Sequence, residues 1–236
     1  MGGSTRPTDT ASPTGGHPHI GVLALQGAFR EHGRMLRGLG AAVSEVRLPG
    51  QLAGLDGLVI PGGESTTMGL LMEQYGLMAP LRSYVREHPV FGTCAGLIML
   101  ASRTTDGEQP LLGVMDITVR RNAFGRQTRS FEAPVDLCLA GAAGGAAGAA
   151  PEGDSPGATT PARGIAFRGI FIRAPWVEEM GPAVEAIAHC DGHVVGVRQK
   201  NMIGVAFHPE LGDDTRLHAY FLDLVRPNPR RSPVPG

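Results

Sequence analysis

Short apolar runs alternate with stretches of helical spacing through the first hundred residues of the chain. Ile20-Gly-Val-Leu-Ala-Leu25 is continuously apolar, the pattern of a strand buried on both faces of a parallel sheet. Over residues 28–39, Phe29, His32, Met35, Leu36 and Leu39 fall on one helical face and Gly40 follows as a stop, so a helix is predicted there. A second strand is expected over residues 42–47 and a third over Gly57-Leu-Val-Ile60. The third runs into Pro61-Gly-Gly-Glu-Ser-Thr-Thr67, a glycine turn followed by hydroxyl residues suited to capping a helix over about 67–75. A further helix near 81–87 leads into Pro89-Val-Phe-Gly92, and Thr93-Cys-Ala-Gly-Leu-Ile-Met-Leu100 then reads as a sharp turn and a helix over about 95–101. Such alternation predicts an α/β fold, a three-layer sandwich around a mostly parallel central sheet. Functional side chains belong at the carboxyl ends of its strands.

Beyond residue 114 the period shortens. Strand-like pieces cover 114–119, 166–172, 184–188, 193–199 and 202–207, with Asp191-Gly192 as a hairpin turn between two of them. A last helix is expected over about 214–225. Residues 1–18, about 140–164 and 227–236 are built from small, polar or proline residues with almost no large apolar side chains. They are expected to be disordered: an amino-terminal tail, a surface insertion and a carboxyl-terminal tail around a single domain at 19–226.

Composition narrows the function classes. With 42% hydrophobic residues, 18% charged residues and a formal net charge of −1, neither a disordered chain nor a nucleic-acid binder is indicated. No apolar run reaches membrane-spanning length and the first residues lack the apolar stretch of a secretory signal, which points to a cytoplasmic protein with no membrane association. Cys94, Cys138 and Cys190 form neither a paired framework nor a CxxC spacing, so a disulfide scaffold and a zinc ribbon are both disfavoured. His17 and His19, placed in the tail, lack further donors, and no metal is assigned to them.

Only Cys94 is flanked by glycines. Gly92-Thr-Cys-Ala-Gly96 has the form of a nucleophile elbow with cysteine in place of serine. Small neighbours let a strained strand-to-helix turn pass close to the sheet. The amino terminus of the following helix favours the thiolate. The blander reading is a buried, inert thiol. His208-Pro-Glu210 supplies a base and its orienting carboxylate: proline biases His208 toward extended chain, in which residues two apart face one way. Read alone, the tripeptide is more often a turn with a solvated glutamate. The backbone N–H groups of Gly63 and Ala95, after a strand and after the nucleophile, are the natural oxyanion donors.

Taken together, these residues resemble class I glutamine amidotransferases, whose fold is flavodoxin-like. Longer stretches resemble one family within that class, the glutaminase subunit of pyridoxal 5′-phosphate synthase. They are Gly21-Val-Leu-Ala-Leu-Gln-Gly-Ala-Phe-Arg-Glu-His32, Pro61-Gly-Gly-Glu-Ser-Thr-Thr-Met68, Phe91-Gly-Thr-Cys-Ala-Gly96, Arg121-Asn-Ala-Phe-Gly-Arg-Gln127, Phe171-Ile-Arg-Ala-Pro175 and Phe207-His-Pro-Glu-Leu211. The resemblance implies a Cys94, His208, Glu210 triad that hydrolyses L-glutamine and passes ammonia to a synthase subunit, with no metal or cofactor on this chain. It implies a glutamine pocket formed by Gly63, Glu64, Ser65, Arg121, Ile172 and Arg173. A guanidinium suits the substrate carboxylate and a glutamate its ammonium, with the choice between the two arginines left open. The Leu25-Gln26-Gly27 turn is implied as a relay, with Gln26 at or near the synthase contact. Two other readings share these residues: a glutaminase serving another synthase, and a catalytically silent glutamine-sensing scaffold. Trp176 is read as a packed aromatic.

Overall fold

The computed structural model describes residues 17–124, 130–139 and 165–226. Apart from residues 17 and 18, the two expected tails and the expected insertion lie outside the described residues, as do the last three residues of the Arg121–Gln127 stretch.

The first half alternates as its periodicity predicts: β1 (His19–Leu23), α1 (Phe29–Gly38), β2 (Ala42–Val46), β3 (Gly57–Ile60), α2 (Ser65–Gln74), α3 (Met78–Glu87), β4 (Val90–Thr93) and α4 (Ala95–Leu100). Next come β5 (Ala101–Thr104), β6 (Met115–Arg120), β7 (Ser130–Leu137), β8 (Ile165–Ile172), β9 (Trp176–Met180), β10 (Glu185–Cys190), β11 (His193–Gln199), β12 (Met202–Val205) and α5 (Arg216–Val225). The main path of the sheet runs β2-β1-β3-β4-β12-β11-β10-β7-β8. It is parallel from β2 to β12 and antiparallel from there on. β5, β6 and β9 branch from it through the β9–β11 pair.

The pleat explains the layers. Gly57 and Phe91 point to one face, where α5 lies: a methyl on Gly57 would come within 2.8 Å of Val225, and Phe91 packs against Phe221 with ring centroids 5.9 Å apart. α1 shares that face, since the His32 ring meets Phe91 edge-on at 6.2 Å. Gly92 and Gly204 are register partners pointing the other way, toward α4. A methyl on Gly204 would come within 2.4 Å of Leu97. α2 packs beside α4. Helices thus cover both faces of the parallel strands.

Several boundaries shift for local reasons. α2 begins at Ser65, two residues early, because the Glu64 carboxylate rather than a hydroxyl caps it, accepting from the N–H groups of Thr66 (3.1 Å) and Thr67 (2.8 Å). α3 begins at Met78 because Pro80 sits in the first turn, where a missing N–H costs nothing. His19 belongs to β1 rather than to a tail, with Nε2 2.8 Å from Ser44 Oγ. β5, β7 and β9 escape the periodicity: β5 follows α4 without a break, β9 carries Glu178 and Glu179, and β7 contains Pro134. Pro134 is tolerated because only Asp136 and Leu137 of β7 pair with β10. At the expected hairpin turn, Asp191 and Gly192 both have positive φ, 48° and 78°. Trp176 stacks on His193 at 3.7 Å.

The long connection after β7 returns to its own starting point, since Leu137 pairs with Ile165 across the β7–β8 hairpin. Deleting residues 142–162 keeps both paired ends and the Cys138 N–H bond to the Ile187 carbonyl (2.8 Å). Closure entropy changes slowly with loop length. The melting temperature is therefore expected to stay nearly unchanged in a calorimetric comparison, and a cooperative loss of stability would show that the segment packs.

Candidate active site

β4 and β12 are adjacent parallel strands, so the residues that leave their carboxyl ends emerge side by side. Cys94 leaves the first, its N–H donating to the Val205 carbonyl at 2.8 Å. Its backbone has φ 48° and ψ −104°, a strained conformation held only by its surroundings. Those surroundings are the two glycines. A methyl on Gly92 would lie 2.7 Å from the Gly96 backbone, and one on Gly96 would lie 1.9 Å from the Ile60 carbonyl oxygen. The thiol of Cys94 is directed at the Ile172 carbonyl oxygen, 3.7 Å away. α4, at six residues, contributes only a short dipole behind it.

His208 leaves the second strand. Its N–H donates to the Ile170 carbonyl (2.8 Å), and its ring lies against Gly62, where a methyl would come within 2.4 Å of Cε1 and 3.4 Å of the Cys94 Cβ. Nδ1 of His208 is 2.7 Å from Glu210 Oε1. The route to that contact differs from the extended chain expected, because Pro209–Leu211 forms a 3-10 turn. Proline fits the first position of such a turn, and the turn carries Glu210 back under the imidazole. Burial opposes charge on His208, but hydrogen bonding to Cys94 and Glu210 and the negative charge of both raise its pKa to about 10. The ring is a strong base beside a thiol, with Glu210 fixing Nδ1 as the protonated nitrogen.

A cleft of about 610 Å³ opens over this pair. Gly63, Glu64, Ser65, Arg121, Ile172 and Arg173 all line it, together with Cys94 and His208. Ala95, Gln26 and Glu210 are not among its lining residues. Arg121 reaches Glu64 Oε1 (3.3 Å), Gln109 Oε1 (2.9 Å) and Thr66 Oγ1 (3.4 Å). Partial burial opposes charge on Glu64, yet hydrogen bonds from Thr67 and Thr66 hold its carboxyl below the usual range. A fixed cation and a fixed anion therefore sit together at the mouth. The pair is too exposed to add much stability.

Residues outside the predicted set also shape the cleft. Asn122 and Arg173 both have φ 46°, left-handed backbone that re-aims the wall. Gln109 Oε1 accepts from Ser65 Oγ (3.1 Å) as well as Arg121, joining two walls from a loop with no periodic pattern. His32 and His218, fully buried, stand behind Glu210. In sequence His32 reads as a member of a helical face, and His218 falls within the last expected helix without a signal of its own. Only the His32 within the Leu-Gln-Gly-Ala-Phe-Arg-Glu-His stretch carried any further signal.

Comparison with known proteins adds to this geometry. The SNO glutamine amidotransferase family matches residues 22–143 and 157–226. The pyridoxal 5′-phosphate synthase subunit PdxT of Desulforudis audaxviator is 48% identical over 207 residues, 87% of this chain and 98% of that protein. Its counterpart in Streptomyces avermitilis is 49% identical over 214 residues, 89% of this chain and 96% of that one. A crystal structure of a glutamine amidotransferase superposes with a TM-score of 0.73 at 43% identity, covering 87% of this chain and 98% of the other.

Proposed function

The chain belongs to the SNO glutamine amidotransferase family, and from that premise we propose that it is the glutaminase subunit of a pyridoxal 5′-phosphate synthase. It hydrolyses L-glutamine to L-glutamate and ammonia. The observation that carries the chemistry is the left-handed Cys94 lining the cleft beside the ring of His208, whose Nδ1 lies 2.7 Å from Glu210 Oε1.

In this reading the Cys94 thiol gives its proton to His208, and the sulfur attacks the side-chain carbonyl of glutamine. Backbone N–H groups of Gly63 and Ala95 receive the developing oxyanion. His208 then protonates the departing nitrogen, and ammonia leaves a γ-glutamyl thioester. Water, activated by the same imidazole, hydrolyses it to glutamate and restores the thiol. Glu210 stabilises the imidazolium at each stage. Arg121 or Arg173 takes the α-carboxylate of the substrate and Glu64 its α-ammonium. Each step is internal to this chain, with neither metal nor cofactor.

Ammonia passes to a separate synthase subunit, which joins it to a pentose phosphate and a triose phosphate. We place the pair in the cytoplasm, a reducing compartment in which a nucleophilic thiol persists. Among the described residues no helix is long and apolar enough to cross a membrane. The test supplies purified chain and labelled glutamine to alternative synthase subunits. Labelled nitrogen is expected in pyridoxal 5′-phosphate with its own synthase and both sugar phosphates present. Transfer only to an imidazole-forming synthase would assign the chain to a different amidotransferase.

A further inference from the structure

Glu210 is 1% exposed, and its two carboxylate oxygens meet different partners. Oε1 faces His208, while Oε2 lies 3.3 Å from Nε2 of His32 on α1. That nitrogen also bonds Thr93 Oγ1 at 3.1 Å, and Oε2 sits off the line of a full hydrogen bond with no other partner among the described residues. Behind it, His32 Nδ1 is 2.9 Å from Nε2 of His218 on α5. Phe91 meets both imidazoles edge-on, at 6.2 and 5.6 Å, and fixes their planes.

Hydrogen-bond bookkeeping selects one direction for this chain of rings. Burial, and then the neighbouring His218 and His208, push the pKa of His32 well down, and burial pushes that of His218 to about 4. Each neutral imidazole carries one N–H. If His32 held its proton on Nδ1, its Nε2 lone pair would face a carboxylate. His218 would then keep a proton on Nδ1, which is buried without a partner among the described residues, and an orphaned donor is costly. In the opposite arrangement His218 donates from Nε2 to His32 Nδ1, and His32 presents Nε2–H to Thr93 and Glu210. Only an acceptor is then left unpaired.

We propose that His32 is a positioning residue: its Nε2–H fixes the Glu210 carboxylate that orients His208, and His218 sets the tautomer that makes this possible. The inference rests on the Cys94, His208, Glu210 reading. It extends the triad backward through the sheet into the α1–α5 layer.

The test compares steady-state glutamate release by the full chain with its synthase. Loss of the 3.3 Å polar contact to a buried carboxylate predicts that His32→Leu lowers kcat about tenfold to a hundredfold. KM is expected to stay within about twofold, because the substrate pocket is untouched. His32→Gln, which keeps an N–H at similar reach, is expected to recover most of that loss. In a Glu210→Gln background His32→Leu should cost little more, since its effect runs through the carboxylate. An equal loss in that background would show that His32 only supports the fold and would overturn the proposal. If His32→Leu does not fold, His218→Phe makes the same test by removing the donor to Nδ1, and wild-type kcat in that variant overturns the relay. Turnover by Cys94→Ala is a separate outcome that would remove the triad itself.

Discussion

Cys94→Ala and His208→Asn each abolish glutamine hydrolysis, while Cys138→Ala and Cys190→Ser leave it within a few fold. Members of a catalytic group act as a unit, so losing the nucleophile or its base is expected to lower kcat by roughly a millionfold. The three cysteines differ in surroundings rather than in kind. Cys94 is held in left-handed backbone and lines a cleft together with His208. Cys190 lies buried in β10, where burial and the nearby Asp191 and Asp136 charges push its thiol pKa up and keep it protonated. Cys138 follows β7, on strands that do not carry the pair. Glutamate release measures turnover, and mass spectrometry after a glutamine-derived alkylating analogue identifies the modified thiol. Full activity in Cys94→Ala, or an adduct on Cys190, would move the site.

Docking of the synthase is expected to raise glutamate release by about a hundredfold to a thousandfold, the effect of gaining one oxyanion donor. The device lies at the exit of β3. Gly63 has φ 156°, a backbone that glycine can reorient at little cost. The Gln26 side chain lies beside it, Oε1 accepting from the Glu64 N–H at 3.0 Å. Gly27 packs so closely that a methyl there would stand 1.8 Å from the Gly62 carbonyl oxygen. A push on the Leu25-Gln26-Gly27 turn is therefore expected to pass into the Gly62–Gly63–Glu64 backbone, and docking is expected to select the orientation with a donor toward the substrate. Gln26→Ala is expected to lose most of the stimulation while leaving the low basal rate in place. Assays of wild type and Gln26→Ala, each with and without synthase, separate the effects. An isolated wild-type chain as fast as the complex would refute gating and leave the triad intact.

Both expectations join features of unequal legibility. The alternation of strands and helices could be read directly, because each element buries a face whose period is written into neighbouring residues. Gly92 and Gly96 around Cys94 could be read for the same reason: the strain they permit is a property of five consecutive residues. Glu64 as a helix cap was less visible, since hydroxyl residues beside it offered an equally good local solution. The His208-Pro-Glu210 contact was foreseen, but by extended chain where the molecule uses a 3-10 turn. Proline permits either backbone path, and the packing beneath it selects one.

What sequence alone determined was an elbow cysteine, a histidine followed by a glutamate, and a parallel α/β frame on which to mount them. That β4 and β12 lie side by side, so that residues more than a hundred positions apart meet at the carboxyl ends of two interior strands, was decided by tertiary structure. So were the Gln109 bridge and the His218–His32–Glu210 line. Periodicity reports which side of an element is buried. It does not report which polar atom from another element will be waiting there, and only the packing of α1 and α5 against one sheet face turned two core histidines into partners of a buried carboxylate.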